Sequence, residues 1–373
     1  MSSKNSQVTT LGKEDVHVIP DTMRAAALFG PGDMRVVDKP VPKPGPGEIL
    51  IRVAACGMCG TDIKILYGKF ANTPPYDGNF TPGHELAGVV AALGEGVNEF
   101  SVGDHVVCEA HKGCGQCENC LDGEYTACFN YGNLAKGHRA LGMSCDGGFA
   151  EYAVAHINQT YKVPKNVSLD EAAIAVTSGT SLYAIDRMGG FLSGRSVAII
   201  GPGPVGLVLV QIAAALGAGP IILVGTRENR LNLGKEFGAD HIVHINRDES
   251  PIDQVLELTK GEGVDYTFEC AGGDDSVGHA ISITRKAGSV ILVAFYGDSV
   301  TFDINKAIRN RIDLLSMRGE GRQVLKRAVA LQEQGKINAK PIISHRFSLE
   351  KITDAFDMFE TRRDNPVKIL IKP

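Results

Sequence analysis

Four cysteines, Cys114, Cys117, Cys120 and Cys128, follow one another at C-x2-C-x2-C-x7-C spacing in a glycine-rich stretch. Four thiolates this close can complete a tetrahedral zinc shell with no open position, the pattern of a structural site. Such a site staples a loop too polar to fold on a core of its own. Disulfides are the competing assignment, but loops this short give poor bridge geometry. Elsewhere, Cys59-Gly60-Thr61-Asp62 and Gly83-His84-Glu85 supply another thiol and an imidazole. Taken singly, each would pass for an ordinary buried residue. Beside the thiolate loop and a nucleotide-type turn, they read as donors to a catalytic metal, which takes about three protein ligands and keeps one position open.

That turn is Gly201-Pro202-Gly203-Pro204-Val205-Gly206, lying between an apolar run, Ser196–Ile200, and a helical stretch, Gly206–Leu216. A G-x-G-x-x-G in this setting lets the backbone approach a pyrophosphate and aims a helix N-terminus at it. At the end of the next strand an NAD site usually carries a carboxylate for the ribose 2′-OH. Here Val224 is followed by Gly225-Thr226-Arg227, with Arg230 close behind. Nothing there repels a 2′-phosphate, and Arg227 can pair with one, although a solvated helix-start arginine is the plainer reading. The pattern favours NADP(H) over NAD(H).

The elements that must position these groups fall into three stretches. From Met23 to about Lys162 short β-branched runs (Glu48–Val53, Glu85–Ala91, His105–Val107) alternate with Gly and Pro clusters. Ser168-Leu-Asp-Glu171 has capping-box form and opens an alanine-rich helix. Apolar strands then alternate with helices. The strands are Ser196–Ile200, Ile221–Val224, His241–Ile245, Val264–Glu269, Ser289–Ala294 and Asp313–Met317, and the helices include Arg230–Phe237, Ile252–Thr259 and Ser276–Thr284. Such alternation predicts a parallel sheet covered on both faces. Helices Val324–Gln334 and Leu349–Glu360 and a strand Val367–Ile371 close the chain.

With Cys59-Gly-Thr-Asp-Ile, Gly83-His-Glu, the four-cysteine loop, the Gly201 turn and the closing Val-Lys-Ile-Leu-Ile, the chain resembles the zinc-containing medium-chain dehydrogenases. It is most similar to their sorbitol and threonine dehydrogenase-like branch, from about Met23 to the end. The resemblance implies an α/β fold: a GroES-like β-rich catalytic domain from both chain ends (22–176 and 319–373), with a Rossmann doubly wound parallel sheet (177–318) inserted. It implies Cys59 and His84 as catalytic zinc ligands, with Glu85 as the adjacent carboxylate able to enter the shell. It also implies Thr61 as the hydroxyl taking the substrate proton, Asp62 as the group orienting His84, and Thr180 against the nicotinamide. Two departures stand out. Val176 falls where the third ligand belongs, leaving Glu85 with water, an extra water, or a weak or absent zinc; Glu85 with water is favoured. Lys64 replaces a histidine that ends the proton relay in relatives, and reads as solvated.

Together these features point to an NAD(P)-dependent zinc dehydrogenase acting on a secondary alcohol or polyol, with two zinc ions per chain and a homodimeric or homotetrameric assembly. The alternative is a catalytically altered NADP-binding protein of the same fold that keeps only the structural zinc. The chain has 373 residues, 43% hydrophobic and 22% charged, as in a globular protein of two domains. A net charge of −5 gives no pull towards nucleic acid, and no apolar run is long enough for a membrane helix. Residues 1–21 are polar and read as a flexible tail without an apolar secretion core. Nine cysteines without such a signal suggest the cytoplasm. Cys56, Cys108, Cys145 and Cys270 read as inert core thiols, and His105, His111, His138 and His156 as surface or hydrogen-bonded histidines.

Overall fold

The computed structural model describes residues 18–70, 74–245, 249–297, 299–321 and 323–373. Most of the expected tail, residues 1–17, lies outside them. Two large sheets organise the rest. The first holds, in spatial order, Ile343–Ser348, Lys368–Lys372, Glu48–Met58, Glu85–Leu93, His105–Cys108 and Thr160–Lys162, with Tyr152–His156 also paired to Glu48–Met58. Both ends of the chain therefore build one sheet. Its strands alternate buried and less buried residues only in part, because Glu48–Met58 is covered on both faces.

The second sheet runs from Val197 to Ser316 and is parallel throughout. Numbered in chain order, its strands lie 3-2-1-4-5-6, so the order reverses beside Val197–Ile200. In doubly wound sheets ligands bind outside the carboxyl ends of the strands at that reversal. Val197–Ile200 and Ile221–Gly225 are buried along their whole length, as an apolar strand between two helical layers must be.

Helix Leu169–Arg187 joins the two sheets. Ser168 Oγ accepts from Glu171 N at 3.3 Å while Ser168 N donates to Glu171 Oε2 at 3.3 Å, so the expected capping box starts the helix. The helix packs against strands Glu48–Met58 and Glu85–Leu93 and also against helices Pro204–Ala215 and Val324–Glu333. It is buried nearly all round, and Ser178 and Ser181 return their hydroxyls to the carbonyls of Ile174 and Thr177. The expected boundary at 176/177 falls inside it. One apolar core runs through this helix, from Ala55 and Ala87 of the first sheet to Ile199 and Leu223 of the second.

Sequence patterning does not reveal the antiparallel pair Thr22–Gly30 and Asp33–Pro40 or two short helices, Gly60–Leu66 and Ile304–Asn310. The two helices are too short for a period to show, and the paired strands lack a clean alternation. The helix expected at Leu349–Glu360 begins as a tight 3-10 turn, Leu349–Lys351, and becomes α-helical over Ile352–Thr361. Among the described residues no helix is long and apolar enough to cross a membrane.

Candidate active site and metal centres

Cys59 caps the short helix Gly60–Leu66. Its sulfur accepts from Thr61 N at 3.3 Å, and Asp62 Oδ2 accepts from Cys59 N at 2.8 Å. Cys-Gly-Thr-Asp is thus a capping box with sulfur in place of a hydroxyl, a signal the sequence contained. His84 enters on the turn before strand Glu85–Leu93. Gly83 has φ +95°, and a Cβ there would meet Phe149 N at 2.8 Å, so only glycine lets the chain turn here. The result places Cys59 Sγ 3.2 Å from His84 Nε2, while Asp62 Oδ1 lies 3.3 Å from His84 Nδ1 on the other side of the ring. Cys59, Asp62 and His84 converge closely enough to surround a cation.

The electrostatics of this corner call for positive charge. Burial opposes protonation of His84, but the Cys59 sulfur and Asp62 carboxylate outweigh it and hold the imidazole well above its ordinary range. Lys368, 2% exposed, is likewise held charged against burial by Glu85 and then Cys59. Its ammonium forms a short ion pair with Glu85 Oε2, and Thr177 Oγ1 donates to the same oxygen at 3.4 Å. Glu85 therefore faces the cavity, but is engaged by Lys368 and stands outside the Cys59–Asp62–His84 group. Val176, the apolar residue at the position expected for a third ligand, also lines the cavity. A thiol, an imidazole and surplus buried negative charge suit a divalent zinc ion.

The four-cysteine loop is complete by comparison. Cys114 Sγ lies 3.9 Å from Cys120 Sγ, and Cys117 Sγ 3.8 Å from Cys128 Sγ. A tetrahedron of Zn–S bonds about 2.3 Å long has edges of about 3.8 Å, so the four sulfurs already sit at zinc-shell spacing. Asn130 supports them, its N–H to Cys128 and its side-chain amide to Cys114, each at 3.3 Å. The backbone N–H of Gln116 and then the Asn130 amide pull the Cys114 thiol down to about 6.

The glycine turn meets its three requirements separately. Gly201 has φ +102°, and a Cβ there would press on Ala271 N at 2.8 Å. A Cβ at Gly206 would collide with Gly201 O, whereas one at Gly203 meets nothing within 4 Å. That open side lies at the N-terminus of helix Pro204–Ala215, where a pyrophosphate binds in such folds. Arg227 caps helix Glu228–Glu236, and Thr226 O contacts His244 Nε2 at 3.0 Å. Burial and then Arg227 and Arg362 depress Arg230 to about 10, so three guanidinium groups crowd one corner.

One cavity of about 290 Å³ connects these parts. It is lined by Cys59, Thr61, His84 and Glu85 from the first sheet's side, and by Thr180, Pro204, Val205 and Arg230 from the nucleotide side. The alcohol dehydrogenase GroES-like domain family matches residues 45–165, and the zinc-binding dehydrogenase family matches residues 204–334. L-threonine 3-dehydrogenase of Pyrococcus furiosus is 34% identical over 346 residues, 90% of this chain and 95% of that protein. The chain belongs to the zinc-binding alcohol dehydrogenase family. Sorbitol dehydrogenase of Bacillus subtilis is 29% identical, over 96% of this chain and 99% of its own length. A Sinorhizobium meliloti 1021 protein named as a zinc-binding dehydrogenase, solved bound to NADP, superposes with a TM-score of 0.84 at 30% identity, covering 95% of this chain and all of that one. The dehydrogenase is accordingly a zinc-dependent oxidoreductase that moves hydride between an alcohol or polyol and NAD(P). Nothing in these comparisons supports the non-catalytic alternative.

The structure also corrects and extends the sequence reading of this dehydrogenase. Lys64 is half-buried rather than fully solvated, and its Nζ donates to the carbonyls of Phe295 and Tyr296, each at 3.3 Å, tying the short helix to the nucleotide-binding half. His111 is neither at the surface nor hydrogen-bonded; it lines the cavity at 4% exposure. His138 is buried too, whereas His105 is exposed. Cys56 and Cys108 are fully buried with thiols pushed upward by burial, Cys108 to about 12, so they are inert as expected. Lys368, Arg318 and Glu320 line the cavity without having been singled out. Only Lys368 left a trace, as a lone cation in the apolar run Val367–Ile371.

Proposed function

We propose that Cys59 and His84 hold a catalytic zinc, that Glu85 and water complete its shell, and that Cys114, Cys117, Cys120 and Cys128 hold a second, structural zinc. One observation carries this reading: a thiol and an imidazole 3.2 Å apart open into the same cavity as Thr180, Pro204 and Val205 of the nucleotide side. When bound there, zinc supplies Lewis-acid polarisation of the alcohol oxygen. The protein's own groups do the rest. Asp62 fixes the ring of His84 from behind and sets which nitrogen faces the cavity. Lys368 keeps Glu85 from standing as an unpaired buried charge, which would cost about 3–5 kcal/mol. Thr61, which lines the cavity and donates its N–H to Cys59, would take the proton of the alcohol through its hydroxyl. Thr180 and Val205 shape the seat of the nicotinamide, and Val176, Val293 and Phe295 keep water from the reacting carbon.

NADP(H) is the preferred cofactor in this reading, with Gly201, Gly203, Pro204, Val205 and Gly206 along the pyrophosphate and Thr226, Arg227 and Arg230 around the 2′-phosphate. Gly225 supports it: a Cβ there would collide with Pro202, so the carboxylate of an NAD site has no room. The crowded guanidinium groups of Arg227, Arg230 and Arg362 support it as well, since, beyond burial, Arg362 depresses the other two and Arg227 depresses Arg230, and a dianion would relieve that repulsion. The division into 22–176 with 319–373 and 177–318 is supported by the two sheets, whose strands fall within 48–162 with 343–372 and within 197–316, with its first boundary inside the joining helix. A homodimer or homotetramer is supported by Asp313–Ser316, an edge strand beside a helix that exposes Ile304 and Ile308. None of the nine cysteines forms a disulfide, which supports a reducing, cytoplasmic setting.

The test is a panel of secondary alcohols and polyols with each cofactor, read by absorbance of the reduced nicotinamide. Turnover of at least one alcohol is expected, with kcat/KM about tenfold or more higher for NADP than for NAD, and Arg227→Ala erasing most of that ratio. A preference for NAD contradicts the cofactor assignment; no turnover of any alcohol contradicts the substrate class.

A further inference from the structure

The cavity carries a second polar cluster that the proposed chemistry does not use. His111 and Glu320 line it, each 4% exposed, and Glu109 stands behind them at 1%. Three atoms of the lining have no hydrogen-bond partner: both ring nitrogens of His111 and Oε2 of Glu320. His111 Nδ1 lies 3.6 Å from Glu320 Oε2, too far for a hydrogen bond. Thr180 Oγ1 donates to Glu320 Oε1 at 3.4 Å, and Glu109 behind is held by Tyr125 and by Tyr161, whose OH donates to Oε2 at 3.2 Å. Burial, and then the charge of Glu320, pushes Glu109 up to about 8, so the two carboxylates do not both carry charge at neutral pH. Arg318, two residues before Glu320, also lines the cavity, but its guanidinium stacks on the ring of Tyr131 at 3.9 Å.

Buried polar atoms are almost always partnered, so three orphans at one cavity wall, both ring nitrogens of His111 and Oε2 of Glu320, mark a place where a ligand donates hydrogen bonds. A metal ion does not fit: among the described residues only the four cysteines and the Cys59–Asp62–His84 group converge at ligand distances. The same cavity is also lined by Met143 and Val176, which suit a short carbon chain. We propose that Glu320 and His111 form a substrate subsite that accepts hydrogen bonds from a second donor group, a hydroxyl or an ammonium on a carbon other than the one oxidised. Glu320 Oε2 takes one hydrogen bond. His111, with its proton on Nδ1 towards Glu320, offers Nε2 for another. Glu320 and His111 are therefore specificity residues for the dehydrogenase, and this assignment rests on the reacting oxygen sitting at Cys59 and His84.

The experiment compares 2-butanol, 2,3-butanediol and 3-amino-2-butanol with the zinc- and cofactor-loaded enzyme, by kcat/KM and by calorimetric binding to the oxidised-cofactor complex. The two bifunctional alcohols are expected to exceed 2-butanol by about 100-fold, since a site built for a donor rejects the analogue that lacks it. Glu320→Gln is expected to lower the amino alcohol about tenfold more than the diol, because an amide accepts hydrogen bonds without the charge. Glu320→Leu and His111→Phe are expected to reduce the bifunctional advantage to within a few-fold of 2-butanol. Equal values for the three alcohols in the wild type overturn the subsite, as does a proportional fall of all three in Glu320→Gln or a change confined to the cofactor KM. If no alcohol is oxidised, the dehydrogenase reading of the cavity fails, and the calorimetric ranking still decides the subsite.

Discussion

In the loop that carries Cys114 to Cys128, four sulfurs stand at zinc-shell spacing and two amide donors of Asn130 turn towards them. In the cavity Cys59 and His84 meet, with Asp62 behind the ring and Glu85 held by Lys368, and Val176 is among the other lining residues. Both places gather sulfur and buried negative charge, yet one is closed and the other open. A closed shell ties down backbone and leaves no room for chemistry; an open one leaves positions for an exchangeable oxygen. The open centre also draws on separate parts of the fold: a helix cap, a glycine turn, the long joining helix and the last strand. The closed one is assembled within a single short loop.

Removing a donor should separate the two most sharply. His84→Ala and Cys59→Ala are expected to lower kcat/KM by about ten-thousand-fold, a size usual for loss of a group that acts with the rest of a catalytic set. Steady-state kinetics on protein with an unchanged circular dichroism spectrum checks this; activity near that of the wild type breaks the contrast. Next in size is the ion pair. Lys368→Met strands Glu85 as a buried charge, and denaturant unfolding should show a loss of about 3–5 kcal/mol. The double variant with Glu85→Gln should recover most of it, and a double variant no more stable than the single one contradicts the pairing.

How much of the molecule was legible in the sequence divides along the same line. The four-cysteine loop could be read from spacing because its ligands are neighbours in sequence. The parallel sheet and glycine turn were equally plain, since apolar strands and a G-x-G-x-x-G are local patterns. Cys59 and His84 were legible as donors only in the company of the thiolate loop and the glycine turn, the apolar residue at 176 came through resemblance, and all three line the cavity. Lys64, His111, Arg318, Glu320 and Lys368 gave no comparable sign. Their roles arise from tertiary contacts: Lys64 reaches carbonyls more than two hundred residues away, and His111 and Glu320 meet only when the final part of the chain returns to the first sheet. No periodicity encodes such meetings.

Two smaller effects refine the comparison. Cys117→Ser opens the closed shell and should cost about 3 kcal/mol, near the upper end for single substitutions, with far less loss of kcat than His84→Ala. Thermal unfolding and kinetics on one sample decide it, and an activity loss as deep as that of His84→Ala would mean the loop takes part in chemistry. The smallest effect concerns His138, whose ring lies 4.5 Å from Tyr131 and whose Nδ1 accepts from Gly132 N. Burial, helped by His111 and Arg318, depresses it to about 4. The unfolded ring takes a proton near pH 6.5 and the folded one near 4, so its stabilising contribution is full above pH 6.5 and is lost as pH falls through that window. His138→Asn should flatten the fall of Tm between about pH 6.5 and 4; an unchanged slope contradicts the assignment.

The most direct test is a count of zinc in the purified protein and its variants by plasma mass spectrometry after exhaustive gel filtration. Two zinc ions per chain are predicted for the wild type, with one remaining in His84→Ala and one in Cys117→Ser. A single zinc per chain in fully active wild type, with the same count in His84→Ala, would contradict a metal held by Cys59 and His84.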